Sequence, residues 1–196
     1  MSANNFLFPV FLKLHHLKVL IVGGGYVGWE KLQALLNNSP QTSVLLVALE
    51  MNPQIRTLAG SFPNVKLLEG SFEEHHLEGI DLAFLATDNR KTNRNIRKLA
   101  KQRNILVNVA DTPDLCDFYL GSVVQKGALK IGISTNGQSP TFAKRLKEVL
   151  NNTIPEETHD LLGNLRVLRD RLRGDFQFKV KQLNQYTRSL VDDNLP

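Results

Sequence analysis

The sequence contains a single cysteine, Cys116, among its 196 residues. One cysteine cannot form an internal disulfide, nor can it supply a metal site built from several thiolates. No apolar run approaches the roughly 18 residues of a membrane span. The N-terminal stretch Asn-Phe-Leu-Phe-Pro-Val-Phe-Leu has neither a basic start nor a small-residue cleavage site. We therefore expect no secretory signal, and the cytoplasm is the expected compartment.

Signals of metal or nucleophilic chemistry are also missing from the sequence. The histidines stand at positions 15, 16, 75, 76 and 159, and adjacent histidines on a regular element cannot point at one metal ion. No Gly-x-Ser-x-Gly elbow occurs, and nothing in the sequence places a base beside Cys116. The sequence therefore predicts no resident metal site and does not support nucleophilic catalysis.

The chain is basic, with a formal net charge of +5. Its longest basic excess runs from Arg90 to Arg103, and most members are spaced three or four residues apart, which favours the solvated face of a helix. A basic wall for an anionic ligand is the alternative. Nucleic acid is disfavoured as a partner, because no aromatic residues interleave with this run.

A glycine-rich stretch follows the first β-branched apolar run, at 18–22. Gly23, Gly25 and Gly28 give the spacing G-x-G-x-x-G, and a helical pattern follows at once. This order of strand, tight turn and helix is typical of dinucleotide-binding sites. We expect Gly23 to allow the turn, Gly25 to admit a pyrophosphate to the backbone, and Gly28 to let helix and strand pack closely.

Five apolar runs alternate with helical patterns in roughly the first 110 residues. The predicted strands cover 18–22, 44–48, 65–69, 80–86 and 105–109, and the predicted helices cover 26–38, 73–78 and 90–103. Residues 6–17 are predicted to form a short edge strand. Consecutive apolar positions are expected when helices cover both faces of a parallel sheet. The predicted fold class is therefore α/β, with a Rossmann-type doubly wound parallel sheet.

Acidic and polar residues follow the second and fourth predicted strands. Glu50 stands 22 residues after Gly28, where an acidic side chain commonly binds the adenosine ribose; a solvated loop carboxylate is equally compatible. No Arg or Lys lies within five residues of Glu50, which favours NAD over NADP. The expected cofactor-binding residues are Gly23, Gly24, Gly25, Tyr26, Val27, Gly28, Leu49, Glu50, Thr87 and Asp88.

Asp111 follows the fifth predicted strand, whose carboxyl end should open onto the nicotinamide side of a cleft. A carboxylate there could act as a general base or hold a substrate N–H. The alternative is that Asp111 caps the next turn, because Asp-Thr-Pro-Asp is also turn chemistry. Its position alone does not decide between these roles.

The pattern changes after about residue 117. Runs 118–124 and 128–134 alternate like an antiparallel pair of strands. Ser139 and Pro140 form an N-cap and a first helical position, and a helix is predicted to follow through residue 150. Two further amphipathic helices are predicted at 155–173 and 175–192.

Four motifs together carry a family resemblance over about residues 6–152. They are Leu20-Ile21-Val22-Gly23-Gly24-Gly25 with Val27 and Lys31, Ala86-Thr87-Asp88, Asn108-Val109-Ala110-Asp111, and Ile133-Ser134-Thr135 with Gly137, Ser139 and Pro140. In this order and spacing, the chain resembles the siroheme-synthase dehydrogenase/ferrochelatase family, whose dehydrogenase acts on precorrin-2.

The resemblance implies an enzyme of siroheme biosynthesis that oxidises precorrin-2 to sirohydrochlorin with NAD, with insertion of Fe²⁺ as a possible second step. It implies a Rossmann domain at 1–112, a dimerisation region at 113–150 and a helical domain at 151–196, in a homodimer. The family's catalytic aspartate falls on Asp111, and its serine segment on Ser134 and Thr135. A tetrapyrrole with eight carboxylates also gives the basic residues a purpose. The expected substrate-binding residues are Ser134, Thr135, Asn136, Gly137, Lys144 and Arg145, with an exposed helix face as the alternative for the last two.

Two other functions remain compatible with the sequence. An NAD-linked dehydrogenase for another substrate would need a histidine or lysine base in a substrate domain, and none is evident. A domain that senses NAD(H) without catalysis would keep the glycine loop and Glu50, but it would not need Asp111 or the 134–140 segment. Neither alternative involves a nucleic acid or a membrane.

Overall fold

Five short strands pair in parallel, each formed by an apolar run of the sequence. They cover Lys18–Val22 (β1), Ser43–Ala48 (β2), Val65–Glu69 (β3), Leu82–Leu85 (β4) and Leu106–Val109 (β5), in a computed structural model that describes residues 5–188. Their order across the sheet is β3-β2-β1-β4-β5. The chain moves outward from β1 to β3 and then returns to the other side of β1. A topological switch point therefore lies between β1 and β4.

Helices cover both faces of this sheet. Residues of β1 alternate between two apolar clusters, with Val19 and Ile21 in one and Leu20 and Val22 in the other. The first cluster includes residues of the helices Tyr26–Asn38 (α1) and Pro53–Ala59 (α2), and the second includes residues of Arg90–Gln102 (α3). Because both faces are buried, every position of β1 after Lys18 can be apolar. The doubly wound α/β fold predicted from the sequence is confirmed.

Helix α2 was not predicted from the sequence. Its start is well marked, because the side chain of Asn52 accepts a hydrogen bond from the N–H of Gln54 at 2.9 Å and Pro53 occupies the first turn. Only seven residues follow this start, so hydrophobic periodicity has too little length to establish itself. The capping signal alone could have identified the helix.

The edge strand predicted for residues 6–17 is wrong. From residue 5 to Lys13 the described chain has no regular secondary structure, and Leu14–His16 form a 3₁₀ turn. The edges of the sheet are β3 and β5, and neither pairs with residues 5–13, while β1 is already paired on both sides with β2 and β4. Phe6 and Phe8 are 89% and 86% exposed. An apolar composition alone therefore misidentified this stretch.

The described chain divides into two compact units. One covers Phe8–Leu120, and the other contains residues 5–7 and the described residues from Gly121 onward. In the second unit, Ser122–Lys126 (β6) and Leu129–Ile133 (β7) form an antiparallel hairpin around Gly127, which adopts a φ of +55°. The predicted strand start at residue 118 was too early, because pairing begins only at Ser122. The domain boundaries at 112 and 150 stay a prediction.

Three helices follow the hairpin, at Pro140–Thr153 (α4), Thr158–Arg171 (α5) and Phe176–Tyr186 (α6). Ser139 caps α4 by accepting a hydrogen bond from the N–H of Phe142 at 3.1 Å. Val124, Ile133 and Ala143 form the small core between α4 and the hairpin. Positions 189–192 of the last predicted helix lie outside the described residues. No helix within residues 5–188 has the length and apolar character needed to cross a bilayer.

Candidate functional site

A cleft of about 1130 Å³ opens at the carboxyl ends of β1, β2 and β4, at the switch point of the sheet. Ligands of open α/β sheets bind at this place. The predicted cofactor residues that line the cleft are Gly23, Gly24, Gly25, Tyr26, Val27, Leu49, Glu50, Thr87 and Asp88. Gly28 does not line it, although it belongs to the same turn. The structure thus brings together residues from three separate loops, and their part in binding a cofactor stays a prediction.

The glycines of the turn serve different steric purposes. Gly23 has a φ of +120°, which side-chain-bearing residues rarely adopt, and a Cβ there would overlap the carbonyl group of Ala86. A Cβ on Gly24 would lie 2.7 Å from the Cβ of Ala48 and closer still to the backbone of Glu50. A Cβ on Gly28 would lie 3.0 Å from the carbonyl carbon of Gly23, which agrees with close helix–strand packing.

Gly25 differs from the other three glycines of the turn, because a Cβ built there would meet no atom of the described residues within 4 Å. The methyl group would instead occupy the cleft. Gly25 is also the N-cap of α1, and no side chain within the described residues caps the first N–H groups of this helix. Free N–H groups at a helix start bind phosphate well. The open face of Gly25 and these N–H groups fit the pyrophosphate of a dinucleotide.

Backbone hydrogen bonds join the loops around the cleft. The N–H of Gly23 donates to the carbonyl of Val47 at 2.9 Å, and the N–H of Asn52 donates to the carbonyl of Gly24 at 2.8 Å. On the other side of β1, the N–H of Ala86 donates to the carbonyl of Val22 at 2.8 Å. The glycine turn is therefore tied to the loops after β2 and β4.

Asn93 organises the loop after β4, and it was not predicted from the sequence. The Thr87 hydroxyl donates to the side-chain oxygen of Asn93 at 2.6 Å, and the amide group of Asn93 donates back to the Thr87 carbonyl at 2.9 Å. Asn93 is only 4% exposed. The sequence could have indicated Asn93 by its spacing: it lies three and seven residues before Ile96 and Ala100, which places it on the same buried face of α3. Thr87 thus uses its hydroxyl within the protein.

Asp111 lies beyond the end of β5 and does not line the cleft. Its φ is +53°, an uncommon value for a residue other than glycine. The next turn, Pro113–Leu115, has Thr112 as its N-cap residue, so Asp111 does not cap it. Within the described residues, no group donates a hydrogen bond to the exposed Asp111 carboxylate. Asp111 lies instead in the preceding turn, which the N–H of Thr112 closes on the carbonyl of Val109 at 3.4 Å, and its carboxylate is left available.

The segment Ser134–Gly137 forms a tight turn in the second unit. The N–H of Gln138 donates to the carbonyl of Thr135 at 3.0 Å, and Asn136 and Gly137 have φ values of +53° and +75°. The hydroxyl oxygens of Ser134 and Thr135 accept hydrogen bonds from the N–H groups of Asn136 and Ser139, each at 3.2 Å. Each hydroxyl keeps its hydrogen, so each can still donate to another group.

The two predicted basic residues of α4 differ in their surroundings. Arg145 donates to Glu148 at 2.7 Å, and this hydrogen bond raises the pKa of the guanidinium further. Lys144 is exposed and has no ion-pair partner within the described part of the chain. Of the two side chains, Lys144 is therefore the one whose charge is not already compensated.

The basic run on α3 agrees with a solvated helix face. Arg94, Arg97, Lys98 and Lys101 line a shallow cavity of about 420 Å³ next to Leu115. The Nε of Arg97 donates to the carbonyl of Leu115 at 2.7 Å, and Lys101 pairs with Asp117 at 3.1 Å. Two of these four cations, Arg97 and Lys101, are thus already bonded to other groups of the protein.

His76 and Cys116 have structural partners. The Nδ1 of His76 accepts a hydrogen bond from the N–H of Glu73 at 2.9 Å, and burial lowers the pKa of His76. The Val109 N–H donates to the Sγ of Cys116 at 3.2 Å, and burial raises the pKa of this thiol. Among residues 5–188, no three potential ligands cluster in a way that could hold a metal ion.

The fold and the cleft define a Rossmann-type dinucleotide-binding protein. Residues 10–122 match the family model described as "Putative NAD(P)-binding", and residues 126–153 match the model described as "Sirohaem biosynthesis protein central". Since the first match covers more than half of the chain, the protein belongs to this NAD(P)-binding family. The family resemblance stated from the sequence is confirmed.

Curated relatives carry the name siroheme synthase. One, from Pseudoalteromonas translucida (strain TAC 125), is 38% identical over 174 residues, which are 89% of this chain and 34% of that protein. Another, from Psychrobacter arcticus, is 36% identical over 176 residues, which are 90% of this chain and 31% of that protein. The chain thus spans about a third of the length of these relatives.

A solved structure with a similar fold is that of SirC, a precorrin-2 dehydrogenase. It superposes with a TM-score of 0.71 and 24% sequence identity, covering 95% of this chain and 90% of that one. This likeness concerns the fold, and it extends across nearly the whole chain.

Proposed function

We propose that this protein is an NAD-dependent dehydrogenase that oxidises precorrin-2 to sirohydrochlorin in siroheme biosynthesis. The observation that carries the proposal is the order of features on one chain. An open glycine cradle at Gly23–Gly28 is followed by a segment that matches the sirohaem biosynthesis model. The siroheme synthases and the precorrin-2 dehydrogenase to which the chain is similar support the same activity.

The chain's own residues would bind and orient the dinucleotide. The backbone at Gly25 and the first N–H groups of α1 would bind the pyrophosphate. Glu50 would accept hydrogen bonds from the ribose hydroxyls, because it is exposed at the cleft after β2. NAD, when bound, supplies a hydride acceptor. The absence of a cation within five residues of Glu50 supports NAD over NADP.

Asp111 would accept the proton that accompanies oxidation. Converting precorrin-2 to sirohydrochlorin removes a hydride and a proton, so the reaction needs a base as well as a hydride acceptor. The Asp111 carboxylate is exposed, unpaired within the described residues and positioned by an uncommon backbone conformation. A carboxylate that is exposed and uncompensated can accept a proton from a bound substrate.

The turn Ser134–Gly137 and the start of α4 would bind the substrate. The hydroxyl hydrogens of Ser134 and Thr135, and the backbone at Asn136 and Gly137, offer polar contacts. Lys144 would pair with a carboxylate of the tetrapyrrole, and Arg145 would join it only if Glu148 shares or releases the guanidinium.

Three finer assignments belong to the same proposal. Insertion of Fe²⁺ into sirohydrochlorin would need a base for the pyrrole N–H protons, and Asp111 could serve again. The macrocycle itself supplies the nitrogen ligands. We also propose a homodimer, from the family resemblance, and a cytoplasmic location, from the single cysteine.

The test of the dehydrogenase is to mix the protein with precorrin-2 and NAD and to follow the absorbance of sirohydrochlorin and NADH. We expect both products in equal amounts. An NAD-sensing domain would bind NADH but form no sirohydrochlorin, and a dehydrogenase for another substrate would do the same. Either result would refute the proposed activity while leaving dinucleotide binding intact.

The test of Asp111 uses Asp111→Asn, because asparagine tolerates a positive φ while removing the charge. General-base catalysis predicts a loss of about 10²-fold or more in rate, with NADH binding unchanged. Asp114→Asn is the matched control, since Asp114 is also exposed and only three residues away. Equal rates for both variants would remove Asp111 from the mechanism.

Chelation and assembly need separate measurements. Supplying sirohydrochlorin and Fe²⁺ tests metal insertion directly, and Asp111→Asn should slow it if the same base is used. Sedimentation at micromolar concentration tests the dimer. A monomer there would contradict the proposed homodimer without affecting the assignment of the reaction.

A further inference from the structure

Arg56 of α2 forms an ion pair with Glu69, the last residue of β3. Glu69 stands in register with Ala48 of β2, and the next residue, Gly70, donates its N–H to the Ala48 carbonyl at 2.8 Å. The pair therefore joins α2 to the outermost strand just where β2 ends. Both side chains are about half exposed, so a change at either should leave the core intact.

Neither member of this ion pair lines the cleft itself, but both of the elements that carry them reach it on the side of Glu50. Asn52 and Pro53, at the start of α2, and Gly70 and Ser71, which follow β3, all line the cleft. In sheets of this topology, the loop after the second strand faces the adenosine ribose. A phosphate on the ribose 2′-oxygen would be placed near this part of the protein.

Arg56 is the first cation after Glu50. Between Glu50 and Glu69 the sequence holds one other, Lys66, which lies three residues before the end of β3. Three residues of strand measure about 10 Å, so Lys66 is set back from the cleft. Arg56 is thus the cation of this region nearest in sequence to the residues that line the cleft, and Glu69 already compensates its charge.

We propose that Glu69 is a specificity-determining residue: by binding Arg56, it denies a 2′-phosphate its cation and so excludes NADP. This inference rests on the proposed use of NAD. Guanidinium binds phosphate through paired, charge-assisted hydrogen bonds, and NADP-binding sites of this fold use an arginine near this position. A carboxylate competing for the same guanidinium has the opposite effect, and it also repels the phosphate.

Two substitutions release Arg56. Glu69→Gln removes the charge and keeps the shape, and Glu69→Ala also removes the oxygen atoms that could accept from the guanidinium. We expect NADPH to bind about tenfold more tightly to both variants than to the original protein, a moderate gain because the site is exposed. The affinity for NADH should change by less than about twofold, since NADH lacks the 2′-phosphate that the released Arg56 would bind.

Dissociation constants of NADH and NADPH measure this directly, without turnover. The single tryptophan, Trp29, lies in the first turns of α1, where its backbone N–H donates to the Gly25 carbonyl at 3.1 Å. Energy transfer from Trp29 to a bound reduced nicotinamide cofactor therefore reports binding, and calorimetry checks the values. Glu78→Gln is the control for net charge, because Glu78 is also exposed but does not flank the cleft.

The double variant Arg56→Ala/Glu69→Gln isolates the mechanism. If Arg56 carries the gain, NADPH affinity in the double variant returns to about the original value. Unchanged NADPH affinity in both Glu69 variants, the same gain in Glu78→Gln, or a gain that persists without Arg56 would each overturn the inference. If the original protein binds NADH but the Glu69 variants do not gain NADPH affinity, only this inference fails. If it binds neither cofactor, the dinucleotide assignment fails as well.

Discussion

Gly25 and Gly28 belong to the same turn, but a methyl group at each has a different expected consequence. The φ and ψ of Gly25, −77° and −167°, are open to any residue, and its Cβ would meet no described atom within 4 Å. Alanine there gains about 0.4–1 kcal/mol by restricting the unfolded chain. It loses a similar amount, about 0.5–1 kcal/mol, as a poorer N-cap than glycine. We therefore expect Gly25→Ala to change the free energy of unfolding by less than about 0.5 kcal/mol.

The affinity for NADH, in contrast to the stability, should change strongly in Gly25→Ala. The new methyl group would point into the cleft where the pyrophosphate approaches the backbone, so NADH affinity should fall at least about tenfold. Energy transfer from Trp29 measures this affinity. Full binding by a folded Gly25→Ala protein would refute the placement of the pyrophosphate at this turn.

Gly28→Ala is the matched comparison. Its Cβ would lie 3.0 Å from the carbonyl carbon of Gly23 and closer to the oxygen, so α1 must move away from β1. Overpacking of this kind costs about 1–3 kcal/mol, and the better helix propensity of alanine returns at most about 1 kcal/mol. A net loss of about 1–2 kcal/mol corresponds to a urea midpoint lower by about 0.5–1 M. Far-UV circular dichroism follows this transition, and an unchanged midpoint would refute the steric argument.

Three further predictions concern stability. Asn93→Ala should lower the free energy of unfolding by about 1–3 kcal/mol, because it removes the two hydrogen bonds that the buried Asn93 side chain forms with Thr87; denaturant titration measures this. His76 has a pKa below its ordinary value of 6.5, chiefly because of burial, so the folded protein favours the neutral imidazole more than the unfolded chain does. The original protein should therefore lose stability as the pH falls below 6.5 toward that lowered pKa, and more steeply than His76→Gln, as urea midpoints at several pH values would show. Thr42 is fully buried, and its hydroxyl has no hydrogen-bond partner among the described residues, so Thr42→Val should raise the thermal midpoint through a gain of about 1 kcal/mol.

Sequence patterns predicted those parts of the fold that depend on local chemistry. The helix at 26–38 has both ends where they were expected, since the glycine turn starts it and the Asn-Asn-Ser-Pro run ends it. The parallel sheet followed from the alternation of apolar runs with helical patterns. The glycine turn and Glu50 were recognisable because their spacing is itself the signal.

Features that depend on distant pairing were not predictable in this way. Residues 5–13 look like a strand, but an apolar run forms one only if it pairs with another strand, and the run itself does not encode that pairing. Asn93 looked like one more polar residue of a basic helix until its partner, the loop after β4, was placed beside it. The ion pair of Arg56 with Glu69 joins positions 13 residues apart through the pairing of β2 with β3.

The hydrogen bonds that tie the glycine turn to its two neighbouring loops have a consequence for the entropy of ligand binding. A cofactor that arrives at this turn meets a backbone whose shape is already fixed by Val47, Asn52 and Ala86. Little conformational freedom then remains to be lost on association, so more of the contact energy is retained as affinity. The amide hydrogens of Gly23, Asn52 and Ala86 should accordingly exchange slowly with solvent even before any ligand binds.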